Sequence, residues 1–157
     1  MNDERDHAQI IAPPPLLLLL CIVAGLVARH FKRLALFPES HPLRWPLCIA
    51  LSVLAGLILF AAIRELIRHK THPSPYRPTA ALVVRGIYRF TRNPIYIAFL
   101  VIVLAFAVGA NDAWLLLSAL VLFILLQFGV VKHEERYLSI KFGNSYDDYR
   151  QHVRRWI

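Results

Sequence analysis

Two short polar segments hold the side chains best suited to chemistry in this chain. Residues 85–96 supply Arg85, Tyr88, Arg89, Arg92, Asn93 and Tyr96, and residues 133–138 supply His133 beside the adjacent carboxylates Glu134 and Glu135. A carboxylate at the edge of an apolar region attracts a cation strongly, because charge is poorly screened there. A tyrosine face can hold a cation with about 0.5–2 kcal/mol, and an arginine such as Arg92 can grip a carboxylate through two parallel hydrogen bonds. Glu135 or His133 can accept a proton. His69 and His72 have a metal-like spacing, but no third ligand accompanies them and proline follows, so no metal is expected. Plainer readings stand beside these. Glu134 and Glu135 next to Lys132 and Arg136 read equally as a solvated helix end. Arg85 and Arg89 read as headgroup contacts, and Tyr88 and Tyr96 as interfacial aromatics.

The elements that must position these residues are apolar. Of the 157 residues, 57% are hydrophobic, more than a small soluble core can hide. Four stretches lack formal charge: Ile10 to Ala28, Trp45 to Ile63, Asn93 to Asn111 and Ala113 to Val131. Each approaches the ~20 residues that cross ~30 Å of hydrocarbon as a helix, the state in which backbone groups satisfy one another. An all-α, polytopic membrane bundle of about four transmembrane helices plus C-terminal amphipathic helices is therefore expected. The first run has a flank (Asp3, Glu4, Arg5, Asp6) that lacks the basic character of a signal peptide, and no small-residue cleavage site follows it, so it reads as a span. Pro13, Pro14 and Pro15 fit its first turn, where missing amide donors cost little. Cys21 and Cys48 lie inside apolar runs and read as small hydrophobes.

Basic residues set the expected topology. Arg64, Arg68, Lys70, Arg77, Arg85, Arg89 and Arg92 join the second and third runs, and Lys132, Arg136, Lys141, Arg150, Arg154 and Arg155 follow the fourth. Gly109 to Ala113 holds no Lys or Arg. The last two helices thus form a hairpin with its tip outside and both polar segments in the cytoplasm. The first connection, with Arg29, Lys32, Arg33 and Arg44, is left outside against the rule. Residues 72–78, with three prolines, read as extended or turning, and Ala80 to Val84 as a stretch along the interface. Tyr137, Leu138, Phe142, Tyr146, Tyr149, Val153 and Trp156 recur at helical spacing, broken at Gly143-Asn144. They predict two short amphipathic helices at headgroup level, able also to cover a pocket.

Taken in order, Thr71 to Pro75, Leu82-Val83, Gly86 with Tyr88, Arg92-Asn93-Pro94-Ile95-Tyr96, Glu134-Glu135, Leu138, Phe142-Gly143, Tyr146, Tyr149 and Arg154-Arg155-Trp156 resemble the integral-membrane methyltransferases. This is the superfamily of isoprenylcysteine carboxyl methyltransferases and phospholipid methyltransferases. The resemblance implies one domain over residues 1–157 whose half from about residue 71 binds S-adenosylmethionine from the cytosol. It implies methylation of a lipid-like acceptor, an isoprenylcysteine-type carboxylate or a phospholipid-type amine. It further implies cofactor contacts from Ala80, Ala81, Leu82, Val83, Tyr88, Asn93, Pro94, Ile95, Tyr96 and Glu134, with Arg92 for the cofactor carboxylate. For an amine acceptor, Glu135 or His133 would take the proton.

The chain departs from that pattern at two positions. Many relatives carry histidine where Asn93 stands, and asparagine does not titrate. The prenylcysteine branch places a substrate-serving arginine one helical turn before the cofactor glutamate, where this chain has Val130. Membrane sterol reductases, which bind NADPH, resemble the same C-terminal half but have many more spans; a non-enzymatic membrane scaffold is the other alternative. The isolated glycines exclude a nucleotide loop of the soluble Rossmann type. The net charge of +8 sits at membrane boundaries, where anionic headgroups rather than nucleic acid are the expected partner. Oligomeric state is not readable.

Overall fold

The computed structural model describes residues 8–72 and 79–157. Most of the proline-rich segment read as extended, residues 73–78, lies outside them. Helix α1 spans Pro14–Phe31 and opens on its prolines, as their fixed φ favours. Helix α2 spans Arg44–Arg68 and runs past the uncharged stretch. The added turn is made of good helix formers, and Arg68 pairs with Glu65 at 3.2 Å. Helix α3, Pro94–Ala110, and helix α4, Ala113–Leu126, form the expected hairpin. Its turn is two residues long. Asn111 takes a left-handed conformation, and the Asp112 side chain caps α4 by accepting from the Trp114 amide at 3.0 Å.

Beyond α4 the two short helices and their break at Gly143-Asn144 are as expected, except that the first is continuous with α4. The helix continues through a π turn at Gln127–Val131 directly into α5, Lys132–Phe142. No proline or glycine cluster interrupts it, so the charged residues simply extend the helix out of the apolar layer. Gly143, at φ +50 and ψ −129, breaks it in a region open to glycine, and α6 follows at Asn144–His152.

Helix α3 is the centre of the bundle, packing against α2, α4 and α1, while α1 also packs along α4. Val103, Leu122, Leu126, Val130 and Val131 are fully buried in the shared core. The outer faces are apolar as well: Leu19, Leu20 and Val27 of α1, Leu57 and Phe60 of α2, and Leu120 of α4 all stand exposed. Such surface is stable only against hydrocarbon. Among the described residues three helices are long and apolar enough to cross a membrane, α1, α2 and the continuous α4–α5 helix; α3 is a shorter apolar helix of 17 residues. The chain is thus an integral membrane protein of helical architecture.

The two ends of the bundle differ. At one end the α1–α2 connection is tied to the hairpin turn. Asn111 Oδ1 accepts from the Leu36 and Phe37 amides at 3.1 and 2.9 Å, and its Nδ2 donates to the Phe37 carbonyl at 2.9 Å. Buried Asp112 lies 3.6 Å from Arg29. Both polar segments singled out in the sequence lie at the other end.

Candidate functional site

A short 3-10 turn, Gly86–Arg89, sorts the side chains of the first polar segment. Gly86 has φ +59, and a Cβ there would lie 2.6 Å from Glu65 Cγ of α2, so only glycine lets the turn approach so closely. The turn buries Tyr88 and leaves Arg85, Arg89 and Phe90 exposed. Val83, which packs with Tyr88 on Ala62 and Leu66, is buried too, so the 80–84 stretch lies against the bundle as irregular backbone. Pro94 then starts α3 and directs Tyr96 inward. The second segment arrives on the first turn of α5, just past the π turn, an irregularity that often marks functional sites.

These elements enclose an open cleft with a cavity of about 150 Å³. At its wall the Tyr96 hydroxyl donates to Glu134 Oε1 at 2.5 Å. Among the described residues Glu134 has no cationic partner, so a carboxylate is held in the cleft by a neutral phenol alone. Glu135 is placed quite differently. Arg155 donates to both its oxygens, Nε at 2.9 Å and Nη2 at 2.7 Å, and Arg92 Nη1 lies 3.2 Å from Oε1. The Arg92 and Glu135 side chains are only 9% and 12% exposed, which makes this pair far less screened than a surface bridge. Arg92 also donates to the Tyr146 hydroxyl at 3.3 Å, and its buried Nε has no partner among the described residues. The Tyr149 hydroxyl donates to the Tyr88 carbonyl at 2.6 Å.

Burial raises the Tyr88 phenol well above its ordinary range, with Tyr149 and Glu134 adding to the shift. Burial does the same to Tyr149. Both hydroxyls therefore remain protonated donors. The hydrogen bonds to Glu135 raise Arg155, which stays a cation.

Of the residues singled out in the sequence, Ala81, Leu82, Val83, Tyr88, Arg92, Asn93, Pro94, Ile95, Tyr96, Glu134 and Glu135 line the cleft. Ala80 is exposed and His133 is not part of the lining. Asn93 turns its amide to the Arg155 carbonyl, at 2.9 Å. Tyr137, Tyr146 and Tyr149 also line the cleft, so aromatics of the tail cover a pocket, as the sequence allowed. The role of Arg155 was not visible in the sequence, because its partner is 20 positions away. Among the described residues no three His, Cys, Asp or Glu side chains converge as metal ligands do.

The family model described as phospholipid methyltransferase matches residues 43–145, about two thirds of the chain. An uncharacterized protein of Haemophilus influenzae is 42% identical over 66 residues, a match that covers 40% of this chain and 98% of that protein.

Proposed function

The chain belongs to the phospholipid methyltransferase family, and on that premise we propose that it transfers a methyl group from S-adenosylmethionine to a lipid-borne amine. Family and fold support a membrane methyltransferase. The observation that carries the finer reading is Glu134, a carboxylate in the cleft with the Tyr96 hydroxyl for a partner and no cation beside it among the described residues. A buried charge without a counter-ion is costly, and it makes sense where a cationic ligand completes it.

The donor set fits the cofactor. Glu134 would oppose the ammonium or sulfonium, the Tyr88 and Tyr96 rings would face positive charge, and the orphaned Arg92 Nε would meet the carboxylate. When bound, S-adenosylmethionine supplies an electrophilic methyl carbon on its sulfonium. The protein's part is alignment: Pro94 and Gly86 fix the backbone on either side of Arg92, and holding two reactants in line can lower a barrier by several kcal/mol.

Two features favour an amine over a carboxylate acceptor. Arg92, the arginine that lines the cleft among the described residues, is already committed to Glu135 and, in this reading, to the donor's carboxylate, and Val130 is buried and apolar where a second carboxylate-gripping arginine would be needed. An amine must shed a proton before attack. Glu135 is a poor acceptor because both its oxygens are already taken by two guanidiniums, and His133 lies outside the lining, so the proton leaves to water at the open mouth. The basic residues around this end support a cytoplasmic orientation, with anionic headgroups alongside.

The test is methyl transfer from labelled S-adenosylmethionine, with the purified protein in vesicles, into an ethanolamine phospholipid and into a prenylcysteine analogue. Label in the amine lipid is expected. Label only in the prenylcysteine reverses the acceptor assignment, and calorimetry showing NADPH binding without S-adenosylmethionine binding overturns the activity.

A further inference from the structure

We propose that Arg155 is a positioning residue for the methyl donor: by sharing Glu135 with Arg92 it leaves the cleft wall a net positive charge that recognises the donor's carboxylate. The inference rests on the reading of the cleft as an S-adenosylmethionine site. Arg92 and Glu135 alone would make a neutral pair, with the guanidinium charge spent inside the protein. Arg155 takes both oxygens of the same carboxylate at 2.9 and 2.7 Å, so two guanidiniums stand against one carboxylate. The three-residue cluster carries a formal charge of +1 by that arithmetic. Its exposed member is Arg155, at 37%, whereas Arg92, at 9%, and Glu135, at 12%, are the members on the cleft. Arg92 Nε is the buried donor left without an acceptor among the described residues, which is costly to leave unmade.

Arg155 is fixed from behind rather than adrift on a loose tail. Its carbonyl accepts from Asn93 Nδ2 at 2.9 Å and Thr91 Oγ1 at 3.2 Å, and the neighbouring Arg154 carbonyl accepts the Arg92 amide at 3.0 Å. The Trp156 indole donates to Gln127 on the π turn at 2.8 Å. The tail thus straps α3's entry to α4's exit. It lies beyond residue 145, where the family match ends.

A strap that served the fold alone would be indifferent to the ligand's charge. The experiment compares binding of S-adenosylmethionine and of its decarboxylated counterpart, by calorimetry, to wild type, Arg155→Gln, Arg155→Lys and Trp156→Phe. Arg155→Gln is expected to weaken S-adenosylmethionine on the order of tenfold while leaving the decarboxylated ligand within about twofold. Arg155→Lys keeps the charge and should keep most of the preference for the carboxylate, and it serves if Arg155→Gln does not fold. Trp156→Phe loosens the strap without changing charge and should treat both ligands alike. Equal loss for both ligands in Arg155→Gln, or loss of preference in Arg155→Lys, overturns the inference while the cofactor reading stands. Wild type that binds neither ligand overturns both.

Discussion

Replacing Glu134 by glutamine separates a ligand-binding carboxylate from a structural one, because the two roles predict opposite signs. The substitution keeps an oxygen that can accept the Tyr96 hydroxyl, now at 2.5 Å, and removes only the charge. A hydrogen bond to a charged group is worth about 1.5–3 kcal/mol, and each 1.4 kcal/mol is tenfold. S-adenosylmethionine binding should therefore weaken by about ten- to hundredfold. The unliganded protein should melt no lower than wild type, and even higher, because a carboxylate with no cation among the described residues no longer has to be kept from water. Calorimetry in detergent gives the first quantity and a thermal melt without ligand the second. Wild-type affinity would return Glu134 to the plain reading of a helix end. A lower melting temperature that accounts for the lost binding would make the carboxylate structural, and the reasoning would fail.

Tyr96→Phe leaves Glu134 without its donor, so the unliganded protein should lose about 1–3 kcal/mol in a denaturation melt, and an unchanged melt would show that the contact carries no energy. Gly86→Ala places a Cβ 2.6 Å from Glu65 Cγ at φ +59; strain there costs of order 1–3 kcal/mol, and a melting temperature equal to wild type would contradict the close approach. Ser40→Cys and Asn144→Cys should react with a membrane-impermeant maleimide from opposite sides of sealed vesicles, Asn144→Cys from the cytoplasmic side; labelling of both from one side would undo the orientation of α1 and α2.

What was legible in the sequence is what local spacing fixes. Tyr88 and Tyr96 stand on a turn and a helix start whose geometry Gly86 and Pro94 dictate within a few residues, and Glu134 follows directly from the end of an apolar run. The four apolar stretches likewise map onto α1, α2, α3 and the α4–π-turn segment, since composition is enough to fix them. The π turn left no trace, because Gln127 to Val131 carries no proline or charge that sets it apart from the helix before it. The Asn111–Asp112 turn was readable as a hairpin tip. That its side chains would bind the first connection was not, since Phe37 is 74 positions from Asn111. Those bonds hold the basic first connection at the same end of the bundle as the hairpin tip, a placement that loop charge does not predict.

The glutamates of the pair, adjacent in sequence, end with opposite assignments, and the reason is electrostatic. Glu134 faces the cleft with a neutral phenol as its hydrogen-bond partner and no cation among the described residues, whereas Glu135 is outnumbered by two guanidiniums and sits inside a cluster of net charge +1. The cleft wall therefore offers two centres, the Glu134 carboxyl, which suits a cation, and the Arg92 guanidinium, whose free Nε suits an anion. An uncharged ligand would satisfy neither centre, and a simple anion or cation only one. A ligand bearing an ammonium and a carboxylate completes both, which is why the single-charge changes at Glu134 and Arg155 should weaken the same ligand through different ends.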